Sequence, residues 1–221
     1  GQEGGNSVAD VLVGKENPSG KLTMTFPVSA MDHPSSLDFP IDPKWGKNSN
    51  KNIEYTLHNE GIDVGYRYFK TNGVEVSYPF GYGLSYTDFA YSKPVVKATK
   101  DGFKAYVTVT NTGDVPGKEA VQLYVAAPKG TIEKPSQELK AFAKTRKLQP
   151  GESQVLEFTV TDYDLASFHQ DSSEWISDKG DYKVLFGASA DDIRANAVYR
   201  LPKEKEWKTH DVLKADLSVK K

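Results

Sequence analysis

The residues of this 221-residue chain that could do acid–base chemistry are Glu3, Glu60, Asp63, Asp171, Glu174 and the adjacent Asp191 and Asp192. Two-carboxyl hydrolysis needs neighbouring groups in opposite states, one acid held neutral by its surroundings and one held ionised. Spacing assigns neither role to any of these side chains. Asp171 and Glu174 stand in HQDSSEW, which reads as a polar loop between strands, and Asp191 and Asp192 begin a turn after GASA. Surface solvation accounts for them all. Glu3 lies in GQEGG, where glycines permit a tight turn and a carboxylate favours the N-terminus of the helix that follows. Neither the dinucleotide fingerprint nor the lysine-bearing phosphate loop is present. His33, His58, His169 and His210 show no metal-ligand spacing. The absence of cysteine excludes thiolate metal sites, a cysteine nucleophile and disulfides. The expectation is a chain with no catalytic, cofactor-binding or metal-binding residue and no cofactor.

The elements around these residues belong to an ordinary globular composition, 38% hydrophobic and 26% charged, with a net charge of -2. That balance offers no footprint for nucleic acid, and no apolar run is long enough for insertion into a membrane. Val8, Val11 and Leu12 make an apolar stripe at helical spacing, with Asn6 as N-cap and Gly14 as stop. After the turn Asn17-Pro18-Ser19-Gly20, alternation of Leu22, Met24 and Phe26 predicts a strand. Residues 28–52 read as an irregular surface loop anchored by Phe39, Ile41 and Trp45. Trp45 could stack on a sugar ring, but pinning the loop to the scaffold is the preferred reading.

Residues 60–86 gather aromatic rings between glycines at 61, 65, 73, 81 and 83, a spacing that forbids one continuous helix. Residues 63–69 and 74–78 read as two strands joined at Asn72-Gly73, and 79–86 as irregular but ordered. So many rings in one stretch need a surface to pack on, which makes this a connector between two bodies. Beyond Thr87 the period is two. Strands are expected over 89–99 with Pro94 at an edge, over 103–109, 121–125, 139–144, 156–160 and 182–186, and over 197–201. About seven strands with turn chemistry between them predict an antiparallel β-sandwich of the fibronectin type III/immunoglobulin class. Residues 203–221 read as a charged tail around Trp207, Val212 and Leu213.

EGIDVGYRYF followed by YPFGYGLSYT closely resembles the late junction of glycoside hydrolase family 3 enzymes, the β-glucosidases and β-xylosidases. GQEGGNSVADVLVGKENPSGKLTMTFP resembles the segment just upstream, and the portion after Thr87 the fibronectin type III-like domain that closes many members. The resemblance implies a C-terminal edge of an α/β sandwich domain over 1–44, the connector over 45–88, the fibronectin-like domain over 89–202 and a tail over 203–221. It implies a structural portion of a retaining exo-acting β-glycosidase, most readily a β-glucosidase. The family's nucleophilic aspartate and acid/base glutamate lie upstream of the matching segment, so this chain by itself is expected to be inactive. The implied partners are an N-terminal catalytic portion, on the same or a separate chain, and a β-glucoside or oligosaccharide substrate. The implied location is periplasmic or extracellular. The alternative from the residues is an independent β-sandwich carbohydrate-binding or adhesion module, with the connector as its sugar platform.

Overall fold

A computed structural model describes residues 1–38 and 58–210 of the chain. Helix α1 (Gly4–Leu12) forms where the apolar stripe predicts it, but Glu3 takes the N-cap position rather than Asn6. Asn6 lies inside the first turn and donates from Nδ2 to Glu3 Oε2 at 2.6 Å. Gly14, at φ +74°, ends the helical path. The strand expected over 22–26 shrinks to β1 (Phe26–Pro27), because Leu22 exchanges its backbone hydrogen bonds with Gly81 and Tyr82 instead of a neighbouring strand. The irregular loop expected after it contains a 3-10 turn at Ala30–Asp32 and helix α2 (Pro34–Asp38). A capping box explains that turn: Ser29 Oγ accepts from Met31 N, and Asp32 Oδ2 accepts from Ser29 N. The expected anchors Phe39, Ile41 and Trp45 lie outside the described residues, as do Val212 and Leu213.

The hairpin expected across Asn72-Gly73 is absent, and helix α3 (Tyr66–Asn72) stands in its place. Gly73 at φ +64° caps the helix in the left-handed conformation. Asn-Gly signals both a hairpin turn and a helix C-cap because both need a residue at positive φ. The periodicity of Tyr66, Phe69 and Lys70 decides for the helix, since i, i+3 and i+4 share one helical face. Strand β2 (Val76–Tyr78) then pairs not with 63–69 but with β1, antiparallel.

The rest is a sandwich of antiparallel sheets. One side is built on β5 (Gly102–Asn111), flanked on one edge by β3 (Phe89–Tyr91) and β4 (Val95–Thr99) placed end to end, and on the other by β8 (Ser153–Thr161). The single strand expected over 89–99 is thus two, and Pro94 sits in the break, where a missing N–H costs no ladder bond. The facing sheet runs β12-β11-β6-β7, with β6 (Ala120–Ala126), β7 (Glu138–Lys144), β11 (Gly180–Gly187) and β12 (Ile193–Leu201). Between the sheets lie Phe103, Ala105, Val107 and Val109 from β5, Val121, Leu123 and Val125 from β6, Leu156, Phe158 and Val160 from β8, and Tyr182, Val184 and Phe186 from β11. These are the alternate positions predicted from period two, and the β-sandwich is the fold of this part.

HQDSSEW is the expected polar turn between strands at residues 170–173, with His169 and Glu174-Trp175 already in the strands it joins, whereas residues 205–208 are a strand and not a tail. Strands β9 (Ser167–His169), β10 (Glu174–Ser177) and β13 (Lys205–Lys208) form a small sheet in the order β13-β10-β9. Their runs of three or four residues are too short to show a period, and only their partners make them strands.

Candidate functional site

Strand β6 points to the site. Val121, Leu123 and Val125 face the core, yet Gln122 and Tyr124 on the opposite face are buried as well. A sandwich strand buried on both faces needs a third layer over it. That layer is the connector, which lies across the outer face of β6 and its neighbours.

Tyr66 of α3 stacks on Phe80, with ring centroids 4.8 Å apart, and meets Tyr124 edge-on at 5.9 Å. Its hydroxyl accepts a hydrogen bond from Leu139 N of β7 at 2.7 Å. Tyr124 donates its hydroxyl to Gln122 Oε1 at 2.6 Å, and burial pushes that phenol well above the ordinary tyrosine range, so it remains a donor. Gln122 Nε2 donates to the carbonyls of Gly81, at 3.1 Å, and of Ala188, at 2.8 Å. Ala190 N donates to Phe80 O at 2.9 Å, and Gln137 Nε2 to Ala190 O at 2.8 Å. Gly81 has to be glycine twice over. Its φ is +80°, and a Cβ there would sit 1.9 Å from Gln122 Oε1. At the rim, Arg67 pairs with Glu138 at 2.9 Å and Lys70 with Asp191 at 2.7 Å.

A second set of bonds ties residues 17–21 to the sandwich. Asn17 receives Ser85 Oγ–H and Tyr86 N–H on Oδ1, at 3.0 and 2.9 Å, and donates from Nδ2 to Pro116 O at 3.1 Å. Glu119, only 5% exposed, accepts from the Tyr91 hydroxyl at 2.8 Å and faces Lys21 Nζ at 3.5 Å. Burial first, then the Glu119 charge, drives the Tyr91 phenol far above its usual range. Arg194 covers the Tyr91 ring at 5.3 Å, is held by Asp192 at 2.8 Å, and donates to Phe89 O at 3.0 Å. Between α3 and the sandwich remains a cavity of about 170 Å³ lined by Tyr66, Phe69, Phe80 and Lys70 among others, into which the buried and unpartnered Thr25 hydroxyl also contributes.

The carboxylates singled out from sequence do not gather. Glu3 caps α1, and Glu60 lies 3.8 Å from His58 Nδ1. Asp63 closes the turn that Glu60 opens, Asp171 sits in the turn before β10, and Glu174 faces Lys208 at 3.8 Å. Asp191 and Asp192 are the exceptions in role, because they bind Lys70 and Arg194 at the junction. His33 packs edge-on against Phe69 at 5.3 Å, and His169 Nδ1 lies 3.5 Å from Thr131 Oγ1. Among the described residues no three His, Asp or Glu side chains are placed to hold a metal ion. Of the connector's rings, Tyr66 reaches the sandwich directly, and Phe80 stacks on Tyr66 while its carbonyl reaches Ala190. Tyr68 instead packs on Phe69, and Tyr82 on Tyr78. Gln122, Gln137, Glu119 and Asn17 carry much of the junction and were not anticipated. A glutamine within an apolar run such as VQLYV was the available signal for Gln122.

What this arrangement can do is mechanical: it locks one body to another through rings, carboxamides and paired charges. Residues 1–86 match the glycosyl hydrolase family 3 C-terminal domain, and residues 119–190 the fibronectin type III-like domain. The chain is 40% identical over 205 residues to the beta-glucosidase of Rhizobium radiobacter, covering 91% of this chain and 24% of that protein. It is 42% identical over 197 residues to thermostable beta-glucosidase B of Acetivibrio thermocellus, covering 87% of this chain and 25% of the relative. Beta-glucosidase 3B of Thermotoga neapolitana, solved in complex with alpha-D-glucose, superposes with a TM-score of 0.85 at 46% identity, over 95% of this chain and 28% of that one. The chain thus spans about a quarter of the length of these curated relatives. It belongs to glycosyl hydrolase family 3, as a C-terminal part that runs from the family's C-terminal domain into a fibronectin type III-like domain.

Proposed function

We propose that this polypeptide is the bracing portion of a retaining exo-acting β-glucosidase that removes terminal β-linked sugars, and that the two catalytic carboxyl groups lie outside these 221 residues. The observation that carries the reading is the similarity to beta-glucosidases along nearly all of this chain but only a quarter of theirs. The surface of residues 1–86 supports it. Val8, Leu12, Val13, Met24, Val28, Ile62, Val64 and Leu84 are all at least half exposed. Large apolar side chains left exposed in a segment that other residues fasten to the sandwich suit packing against a larger body, here the N-terminal catalytic portion. The inferred location, periplasmic or extracellular, goes with that family reading.

Two carboxyl groups of a retaining glycosidase stand roughly 5–5.5 Å apart; of the acids weighed from the sequence, Glu3 stands at the start of a helix, Glu60 faces His58, Glu174 faces Lys208, and Asp191 and Asp192 bind Lys70 and Arg194. The test is hydrolysis of an aryl β-glucoside by the purified chain. No turnover is expected. Turnover that survives removal of every contaminating glucosidase would overturn the proposal. The alternative, a module that binds sugar through the connector, is disfavoured by Tyr66 and Tyr124, whose rings pack on each other across the junction.

A further inference from the structure

Asn72-Gly73 is the single Asn-Gly pair of the chain, and it closes the helix that carries Tyr66 to the sandwich. An asparagine followed by glycine readily loses its amide, because the backbone nitrogen of a residue without Cβ reaches the side-chain carbonyl unhindered. The fold adds no shield of its own. Apart from the chain neighbours, no atom lies within 4 Å of the place where a Cβ at Gly73 would stand.

What restrains the pair is the helix. Gly73 N–H donates to Phe69 O, as does Val74 N–H at 2.9 Å. Asn72 Nδ2 donates to Tyr68 O at 3.0 Å. The attacking nitrogen therefore keeps its proton, the leaving group is held back along the helix, and a helical ψ at Asn72 keeps Gly73 N from lying over Cγ. The helix is in turn held by the sandwich. Besides the Tyr66 and Lys70 contacts above, Thr71 Oγ1 accepts from Ser136 N at 2.9 Å.

We propose that Asn72 is a deamidation site gated by release of α3 from the sandwich. When α3 opens, Gly73 N gives its proton to hydroxide and attacks Asn72 Cγ. The new N–C bond closes a succinimide as the Cγ–Nδ2 bond breaks, and ammonia leaves with a proton taken from water. Water then opens the ring at either carbonyl, which yields an aspartyl or an isoaspartyl residue. Neither product restores the cap. A carboxylate has no donor for Tyr68 O and lies unfavourably at a helix C-terminus, and an isoaspartyl residue adds a methylene to the backbone ahead of Gly73. The modification thus records release of the connector and makes further release easier.

The test is incubation of the 221-residue chain in mildly alkaline buffer, with a synthetic peptide of residues 64–78 as the unfolded reference. Digestion and mass spectrometry follow the loss of the Asn72 amide. In the parent it should be lost at least about tenfold more slowly than in the peptide, because only the opened fraction reacts. Tyr66→Ala, which removes a ring that meets Phe80 and Tyr124, should speed the loss by at least about threefold. Urea below the unfolding transition should accelerate the parent in the same direction, which keeps the test decisive should Tyr66→Ala unfold. The deamidated fraction, separated by its added charge, should melt below the parent. Equal rates in parent and peptide, or a rate indifferent to both Tyr66→Ala and urea, would overturn the gating. A peptide that keeps its Asn72 amide would overturn the site itself, and a deamidated fraction that melts with the parent would overturn its effect on the connector.

Discussion

Single atoms decide how tightly the connector holds. Gly81 has both a left-handed backbone and a neighbour, Gln122, in the space a Cβ would fill. Gly81→Ala should therefore lower stability by about 1–3 kcal/mol for the backbone strain alone, with a further loss as Gln122 is displaced; a denaturant melt of the variant measures it. Tyr91 reports on the second cluster. Burial and then Glu119 raise its phenol pKa far above the ordinary value of 10.0. A raised folded-state value means that the native protein keeps a proton which the unfolded chain releases, so its contribution is complete below about pH 10 and declines as pH rises beyond it. Tyr91→Phe should flatten that alkaline decline above about pH 10, and should cost about 1–3 kcal/mol at neutral pH by depriving buried Glu119 of a donor. An unchanged alkaline slope would remove Tyr91 from the account. At this scale the sequence was legible for apolar side chains and poorly so for polar ones. Val107 and Val184 announce their burial by period, whereas Gln122 and Glu119 acquire their roles only from Gly81, Tyr91 and Lys21, which are distant in the chain.

Elements were legible in proportion to their length. The nine-residue β8 and ten-residue β5 were found from alternation because each repeats its pattern several times. Four-residue β10 and β13 repeat nothing, and the residues of α3 read as half of a hairpin because Asn72-Gly73 is equally good as a turn or a cap. The helix has a measurable consequence. Tyr66 faces Tyr124 and Leu139 of the sandwich, while Tyr68, two residues on, packs only on Phe69 among the rings. Two side chains two residues apart on a strand would share a face, but on a helix they diverge. Tyr66→Ala should thus cost about 3–5 kcal/mol, less whatever its partial exposure has already forfeited, and Tyr68→Ala distinctly less. Thermal unfolding of the pair compares them directly, and equal losses would favour the hairpin. Phe80→Ala belongs with Tyr66→Ala, since its ring stacks on Tyr66 and its carbonyl anchors Ala190.

For the whole molecule, the fold divides into a sandwich with its own core and an N-terminal segment whose order depends on being fastened to it. Helix α1 buries none of its residues. Limited proteolysis of the chain should accordingly cut within residues 1–16 first and leave 89–201 intact, and equal protection of both would mean that α1 is held by something other than the contacts seen here. The sandwich was foreseeable because a core between two sheets imposes period two on every strand. The junction was not, because two bodies meeting at a surface impose no period on either. The claim on which the rest depends is that the connector is a brace, folded onto the sandwich as firmly as the sandwich is folded on itself. Amide hydrogen exchange of the intact chain tests it at the hydrogen bonds that define the brace: Gly81 N to Leu22 O, Leu22 N to Tyr82 O, and Ala190 N to Phe80 O, each 2.8 or 2.9 Å long. The account predicts that these amides exchange as slowly as those of Val107 and Val184 in the core, and that Tyr66→Ala speeds the first group far more than the second. Fast exchange at Gly81, Leu22 and Ala190 beside a protected sandwich core would contradict it.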